Sequence, residues 1–248
     1  MSTAYAQSER TSAKRHPLRR AFAIFFTVVL AVVAGVAGWF GVRGYAMYQD
    51  AIAVMGVEEM AEGIRSQPGY VTLDQMPEIY KSAVISVEDK RFWQHPGFDI
   101  IATGRALAND IRAGAFVEGG STITQQLAKN QWFTQDKFIE RKFAEMFMSF
   151  EIERTLSKEE ILELYLNSIY FGNGFYGIGA AAEGYLGKAP MDMDPYECTL
   201  LAGVPNAPSV YNPHANPELA DQRQKQVVAK LLDNGVISKS QAEMLQAA

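Results

Sequence analysis

Residues 21–42 form an unbroken run of 22 residues without a charged side chain, bounded by Arg20 and Arg43. At 1.5 Å per residue, a helix of roughly 20 residues crosses the ~30 Å hydrocarbon core of a bilayer. The run therefore reads as a transmembrane anchor. Small residues at Ala34, Gly35, Ala37 and Gly38 also suit a cleavable signal, but an apolar core this long exceeds the ~7–15 residues of an ordinary signal peptide. Trp39, Tyr45 and Tyr48 suit the outer interface, where amphipathic rings settle.

Beyond the anchor the apolar spacing is helical. Residues 43–72 read as a helical continuation followed by an extended juxtamembrane link, punctuated by Gly63, Pro68 and Gly69. Asp74 and Pro77 open a helix through Ile79, Ala83 and Val87. Thr122 with Gln125 and Ser157 with Glu160 are capping boxes, starting helices that end near Gln131 and Asn167. Residues 136–154 make a long helix carrying Phe138, Phe143, Met146, Phe147, Phe150 and Ile152 as expected core, with Met148 a packing residue. Residues 177–186 are alanine-rich and helical, closed by Gly187, and further helices start at Asp194-Pro195, Asn216-Pro217 and Ser238. Strand signals are weak and there are no internal repeats. The expected architecture is all-α, with one N-terminal transmembrane helix.

Charge sets the orientation. The chain carries 23 basic and 28 acidic residues, net −5. Residues 1–20 hold five basic groups and one acid, so the remainder is net −9. A basic tail before the apolar run stays in the cytoplasm, which puts the large C-terminal part outside. The acidic balance argues against a nucleic-acid partner. A single cysteine, Cys198, excludes an internal disulfide framework, and His16, His95 and His214 have no metal-ligand spacing.

Four segments could carry chemistry. Glu88-Asp89-Lys90-Arg91 falls at a helix end, followed by Phe92 and a His95-Pro96-Gly97 turn. The negative end of the helix dipole disfavours a further negative charge there, which suits a proton acceptor, though a solvated helix end gives the same pattern. Gly119-Gly120-Ser121-Thr122 runs into a helix start whose free N–H groups could receive an anion or equally belong to a plain helix cap, and Gln126, Lys129 and Asn130 share one helix face. Arg141, Lys142 and Glu145 form a charged cluster that could equally be a solvated ladder. The glycine–aromatic run 170–182 could line a sugar groove or permit close helix packing. Phe98, Ile100, Ile101, Leu107, Ile111 and Phe116 suit either an amphipathic element dipping into the outer leaflet or partial burial in the core.

In this order the segments resemble the peptidoglycan glycosyltransferase domain of class A penicillin-binding proteins and monofunctional transglycosylases. The matching positions are Glu88-Asp89-x-x-Phe92-x-x-His95-x-Gly97, then Gly119 to Gln126 with Lys129-Asn130, then Arg141-Lys142-x-x-Glu145. Tyr165-Leu166-Asn167-x-x-Tyr170-Phe171-Gly172 and Leu201-Ala202-Gly203 with Tyr211-Asn212-Pro213 complete the set, over residues 80–213. The departures, Ser149 in place of Ala and Leu186 in place of Phe, touch no charged position.

The resemblance implies a lysozyme-like, two-lobed helical domain over residues 73–248. It implies polymerisation of lipid II into β-1,4-linked glycan, with inversion at the anomeric carbon and release of undecaprenyl diphosphate. Glu88 and Glu145 take the catalytic positions. Lys129, Arg141, Lys142, Gln126, Asn130, Gly119, Ser121 and Thr122 take the substrate and diphosphate positions, with Asp89, Phe92 and His95 in support. A divalent Mg or Mn ion accompanying the diphosphate is the one cofactor left open, and no metal ligand is assigned. The partners implied are lipid II, the growing glycan on its lipid carrier, the bacterial cytoplasmic membrane and other cell-wall synthesis proteins. No Ser-x-x-Lys set of a transpeptidase follows, which fits a monofunctional enzyme or a piece of a larger penicillin-binding protein. A wall hydrolase and a non-enzymatic wall scaffold are the competing readings. The first has no use for paired cations such as Lys129 and Arg141, and the second no use for two retained carboxylates.

Overall fold

The structure is a computed structural model, and it describes residues 17–115, 119–134 and 139–247. Eleven α-helices are present among these residues, with short 3-10 turns between them and no strand. Tyr170 and Tyr176 form an isolated antiparallel bridge. The helices are α1 (Pro17–Val54), α2 (Val57–Arg65), α3 (Glu78–Glu88), α4 (Ile100–Ala113), α5 (Ile123–Trp132) and α6 (Ile139–Thr155), then α7 (Lys158–Ser168), α8 (Gly177–Leu186), α9 (Pro195–Gly203), α10 (Pro217–Asp233) and α11 (Lys239–Ala247). The all-α expectation holds.

α1 is one helix of 38 residues. Its apolar stretch has no buried part, so it is long and apolar enough to cross a membrane and has no protein surface to shelter it. Its C-terminal turns behave differently. They pack along α6 in parallel, with Arg43 Nε 3.1 Å from Glu140 Oε1 and the Tyr45 and Phe147 rings edge to face at 5.3 Å. Gly44 makes the approach possible: a Cβ there would stand 2.4 Å from Phe143 Cβ and 2.7 Å from the Glu140 carbonyl oxygen. Phe143 and Phe147 therefore face the anchor helix and are half-buried, and Phe150 is exposed. This corrects their expected core role. The buried side of α6 is Ala144, Glu145, Met148, Ser149 and Ile152. Phe138 lies outside the described residues.

The link expected over residues 43–72 holds an element of the core. Val57, Met60, Ala61 and Ile64 of α2 are buried and belong to the main apolar cluster. The extended part that follows is strapped to α7. Asn167 Oδ1 accepts from the Val71 N–H at 2.9 Å, and Asn167 Nδ2 donates back to the Val71 carbonyl at 2.7 Å.

Two groups of helices share the core. α3 packs against α9 and α10, while α5 packs against α6 and α7. Tyr80, Phe92, Tyr165 and Phe171 are fully buried between them. The expected caps form as local chemistry dictates. Thr122, Ser157 and Asp194 each accept from the N–H three residues on, and Gln125, Glu160 and Glu197 reach back. In the glycine–aromatic segment Phe171 is buried, and its carbonyl accepts the Tyr185 hydroxyl at 2.8 Å, which favours packing over a groove lining. α4 keeps Ile100, Ile101, Leu107 and Ile111 exposed, so these four take no core role, and Phe116 lies outside the described residues.

Candidate active site

α3 ends at Glu88, and the following loop returns through His95 to Gly97. Asp89 organises this loop. Its carboxylate accepts His95 Nε2 at 2.9 Å and the Ile123 N–H at 3.0 Å, and the Gly97 N–H donates to His95 Nδ1 at 3.2 Å. With Nδ1 accepting from Gly97, Nε2 is the ring nitrogen that faces Asp89 as donor. Gly97 has φ +93°, and a Cβ there would lie 2.8 Å from the Ser149 carbonyl oxygen, so the loop closes directly onto α6. Phe92 is buried under Lys158, whose Nζ is 4.3 Å from the ring centre. Asp89, Phe92 and His95 thus hold together the loop that follows Glu88.

The start of α5, which could receive an external anion or form a plain helix cap, is filled from within the chain: the carboxylate of Asp89 occupies the Ile123 N–H. The Gln125 N–H is taken by the Thr122 hydroxyl and the Thr122 N–H by Gln125 Oε1. Thr122 Oγ1 in turn donates to the Gly97 carbonyl at 2.6 Å. Thr122 therefore joins the first loop to α5, with its hydroxyl fully engaged. The helix end satisfies itself with an internal carboxylate, as dipole and capping physics favour.

A cleft of about 910 Å³ opens between these elements. Its wall brings together Glu88, Gly119, Ser121, Thr122, Gln126, Lys129, Lys142 and Glu145, which lie in three separate stretches of the sequence. Glu88 Oε2 accepts from Gln126 Nε2 at 2.7 Å, and Gln126 Oε1 accepts from the Tyr165 hydroxyl at 3.1 Å. Glu145 has no exposed surface. Lys142 Nζ lies 2.7 Å from its Oε2 and Arg141 Nε 2.9 Å from its Oε1, the latter a close ionic contact that is not aligned as a hydrogen bond. Lys142 also donates to Ser121 Oγ at 3.2 Å.

Not every assigned residue reaches the cleft. Arg141 stands outside its described wall, behind Glu145, and donates to the Thr134 carbonyl at 2.8 Å. Asn130 is exposed and also outside the wall. α10, which carried no functional expectation, adds Arg223, Lys230 and Asp233 to the wall, followed by Asn234. No local sequence signal marks them, because their proximity depends on α10 packing against α3.

Lys129 carries the clearest electrostatic signature. Burial lowers its ammonium below the ordinary lysine value, the charges of Lys142 and Arg141 add to this, and Glu145 and Glu88 oppose it. A cation held this way gains from any anion that enters the cleft. The wall thus sets a carboxylate held by an amide beside a desolvated cation and a second, half-exposed one, an arrangement able to accept a proton and to stabilise an anion in one cavity.

The transglycosylase family matches residues 57–232 of this chain. Penicillin-binding protein 1A of Aquifex aeolicus is 47% identical over 174 residues, covering 70% of this chain and 24% of that protein. Penicillin-binding protein 1F of Bacillus subtilis is 44% identical over 176 residues, covering 71% and 25%. A crystal structure of penicillin-binding protein 1A from Haemophilus influenzae overlaps with a TM-score of 0.43 at 23% identity, covering 71% of this chain and 17% of that one. The chain spans about a quarter of the length of the curated relatives it matches. With a match across α2 to α10, the elements that build the cleft, the chain belongs to the transglycosylase family, that of the peptidoglycan glycosyltransferase domain.

Proposed function

We infer that this chain polymerises lipid II, extending a glycan carried on undecaprenyl diphosphate. The observation that carries this reading is the placement of Glu88 in the same cleft as Lys129 and Lys142. A sugar hydroxyl is a poor nucleophile. Glu88 takes its proton as the oxygen bonds to the anomeric carbon of the donor, and the bond from that carbon to the diphosphate oxygen breaks. Attack from the face opposite the leaving group inverts the anomeric centre and gives the β-1,4 link. The departing diphosphate gathers negative charge, which Lys129 and Lys142 are preorganised to meet. Arg141 acts from behind, holding Glu145, which in turn holds Lys142 in place.

The donor set does not suit a divalent Mg or Mn ion held by the protein. The two oxygens of Glu145 face Arg141 and Lys142, and Glu88 is left with one oxygen, its other accepting from Gln126. No group of three metal-ligating side chains occurs among the described residues. The two lysines supply the positive charge that such an ion would bring.

The anchor supports a location at the membrane. With the basic tail inside and α1 crossing the bacterial cytoplasmic membrane once, the domain works on the outer side, where Ile100, Ile101, Leu107 and Ile111 of α4 suit contact with lipid. Protease added to spheroplasts should digest the domain and spare the N-terminus. Purified full-length chain, given labelled lipid II, should produce glycan polymer. Cleaved sugar would indicate a hydrolase, and unchanged substrate a scaffold. Glu88→Gln keeps the shape of the side chain but cannot take a proton, so polymerisation should fall by ~10²–10⁴-fold.

A further inference from the structure

Glu88 is held by a side chain that could face it either way. A glutamine amide has an acceptor oxygen at one end and two donor hydrogens at the other, and the two ends have nearly the same shape. Turned one way, Gln126 donates to the Glu88 carboxylate. Turned the other, it sets an oxygen against an oxygen at 2.7 Å.

We propose that Tyr165 is a positioning residue acting through Gln126: its hydroxyl holds the amide oxygen, so that the amide nitrogen faces Glu88. The inference rests on the reading of Glu88 as the base. Tyr165 has no exposed surface and sits in the C-terminal half of α7, which packs on α5. Its hydroxyl donates to Gln126 Oε1 at 3.1 Å, and Gln126 Nε2 donates to Glu88 Oε2 at 2.7 Å, so the two bonds run in one direction. Burial, reinforced by the charges of Glu88 and of the neighbouring Tyr80 and Asp89, pushes the phenol well above its ordinary value. The hydroxyl is therefore a permanent donor. Glu88 Oε1 has no hydrogen bond among the described residues, which leaves it as the oxygen that receives the proton. Removing the phenol oxygen frees the amide to turn and the carboxylate to drift from the acceptor hydroxyl. Small misplacements of a base are costly in rate. The lysines that bind the diphosphate are untouched.

The test is steady-state polymerisation of labelled lipid II by the full-length chain in detergent, with circular dichroism and thermal midpoint as controls. Tyr165→Phe keeps the buried ring. It should lower kcat roughly ten-fold, the scale of one lost hydrogen bond, with KM changed less than about two-fold. Gln126→Leu should show a loss at least as large, and Tyr165→Phe should add nothing in the Gln126→Leu background. A parental kcat in Tyr165→Phe, beside an inactive Glu88→Gln, overturns the relay alone. Independent, multiplying losses in the double variant, or a change carried by KM or by the amount of folded protein, also overturn it. A Glu88→Gln variant as active as the parent overturns the base assignment and the relay with it.

Discussion

Lys142 Nζ stands 2.7 Å from Glu145 Oε2, joining a half-exposed cation in the cleft wall to a carboxylate with no exposed surface. Arg141 approaches the other carboxylate oxygen at 2.9 Å from the same helix. The three charges are unequal in what they cost to remove. Glu145→Ala leaves two neighbouring cations without their shared counter-charge, and removing one partner of a buried pair costs about 3 kcal/mol or more. Lys142→Ala leaves Glu145 with Arg141 and removes a half-exposed group, a change of about 1 kcal/mol or less. Urea denaturation of both variants should show this order, and equal destabilisation would contradict it.

Lys129 should trade stability for function. Its lowered ammonium means that the folded state binds that proton less well than the unfolded chain does. The penalty is present in full below the folded value and is relieved as pH rises through it toward the ordinary lysine range. Lys129→Met keeps the length and removes the charge. It should raise the thermal midpoint at neutral pH while lowering polymerisation about ten-fold or more, since a hydrogen bond to a charged group is worth roughly 1.5–3 kcal/mol. The gain in stability should shrink as pH is raised. A variant that loses both stability and activity would place Lys129 in the framework instead.

Gly44 couples the anchor to the site helix. A side chain there has no room, because Phe143 and the α6 backbone lie closer than van der Waals contact would allow. Gly41, one turn earlier, has Phe143 Cδ1 at 4.0 Å, an ordinary contact. Gly41→Ala should therefore be tolerated. Gly44→Leu should push α6 away and shift Arg141, Lys142 and Glu145 with it, lowering both stability and polymerisation, with a destabilisation of about 1–3 kcal/mol typical of overpacking. Equal behaviour of the two variants in thermal melts and lipid II assays would show that α1 and α6 do not act as one unit.

Much of this was legible where the cause is local. The capping boxes at Thr122, Ser157 and Asp194 start helices because a side chain three residues away completes them, and sequence shows both partners. α2 escaped because only Met55 and Gly56 separate it from α1, and its apolar spacing reads as a continuation. Glu88, Gln126, Lys129 and Lys142 were marked out by motif and do meet in one cleft. The filling of the α5 start by Asp89 was not legible, because the partner lies 34 residues away. The same holds for Lys230 and Asp233, which reach the cleft through helix packing alone. The bulky face of α6 misled for a physical reason: an amphipathic helix can turn aromatic residues toward an anchor helix as readily as toward a core.

Asp99 gives a pH dependence whose sign is fixed by geometry. It caps α4, accepting the N–H groups of Ile101 and Ala102 at 2.9 Å, and it takes two bonds from Arg91 at 2.7 and 2.8 Å. Burial alone would raise its carboxyl, but the Arg91 bond, the two N–H donors and the Arg91 charge together hold it below the ordinary carboxylate value. A lowered carboxyl contributes stability above its unfolded value and loses it as pH falls through the folded one. Asp99→Asn keeps a good capping acceptor but loses the charge that Arg91 meets. The parent should exceed the variant by roughly 1 kcal/mol at neutral pH, within the range of hydrogen bonds to charged groups. That gap should close as pH falls from the ordinary carboxylate value through the lower folded one. Because α4 also contributes Ala102 and Arg105 to the cleft wall, the variant should lose some polymerisation at neutral pH as the cap loosens. Urea midpoints at a series of pH values test the first point and lipid II turnover the second. A parent–variant gap that widens on acidification would mean that Asp99 is not held as a carboxylate by Arg91.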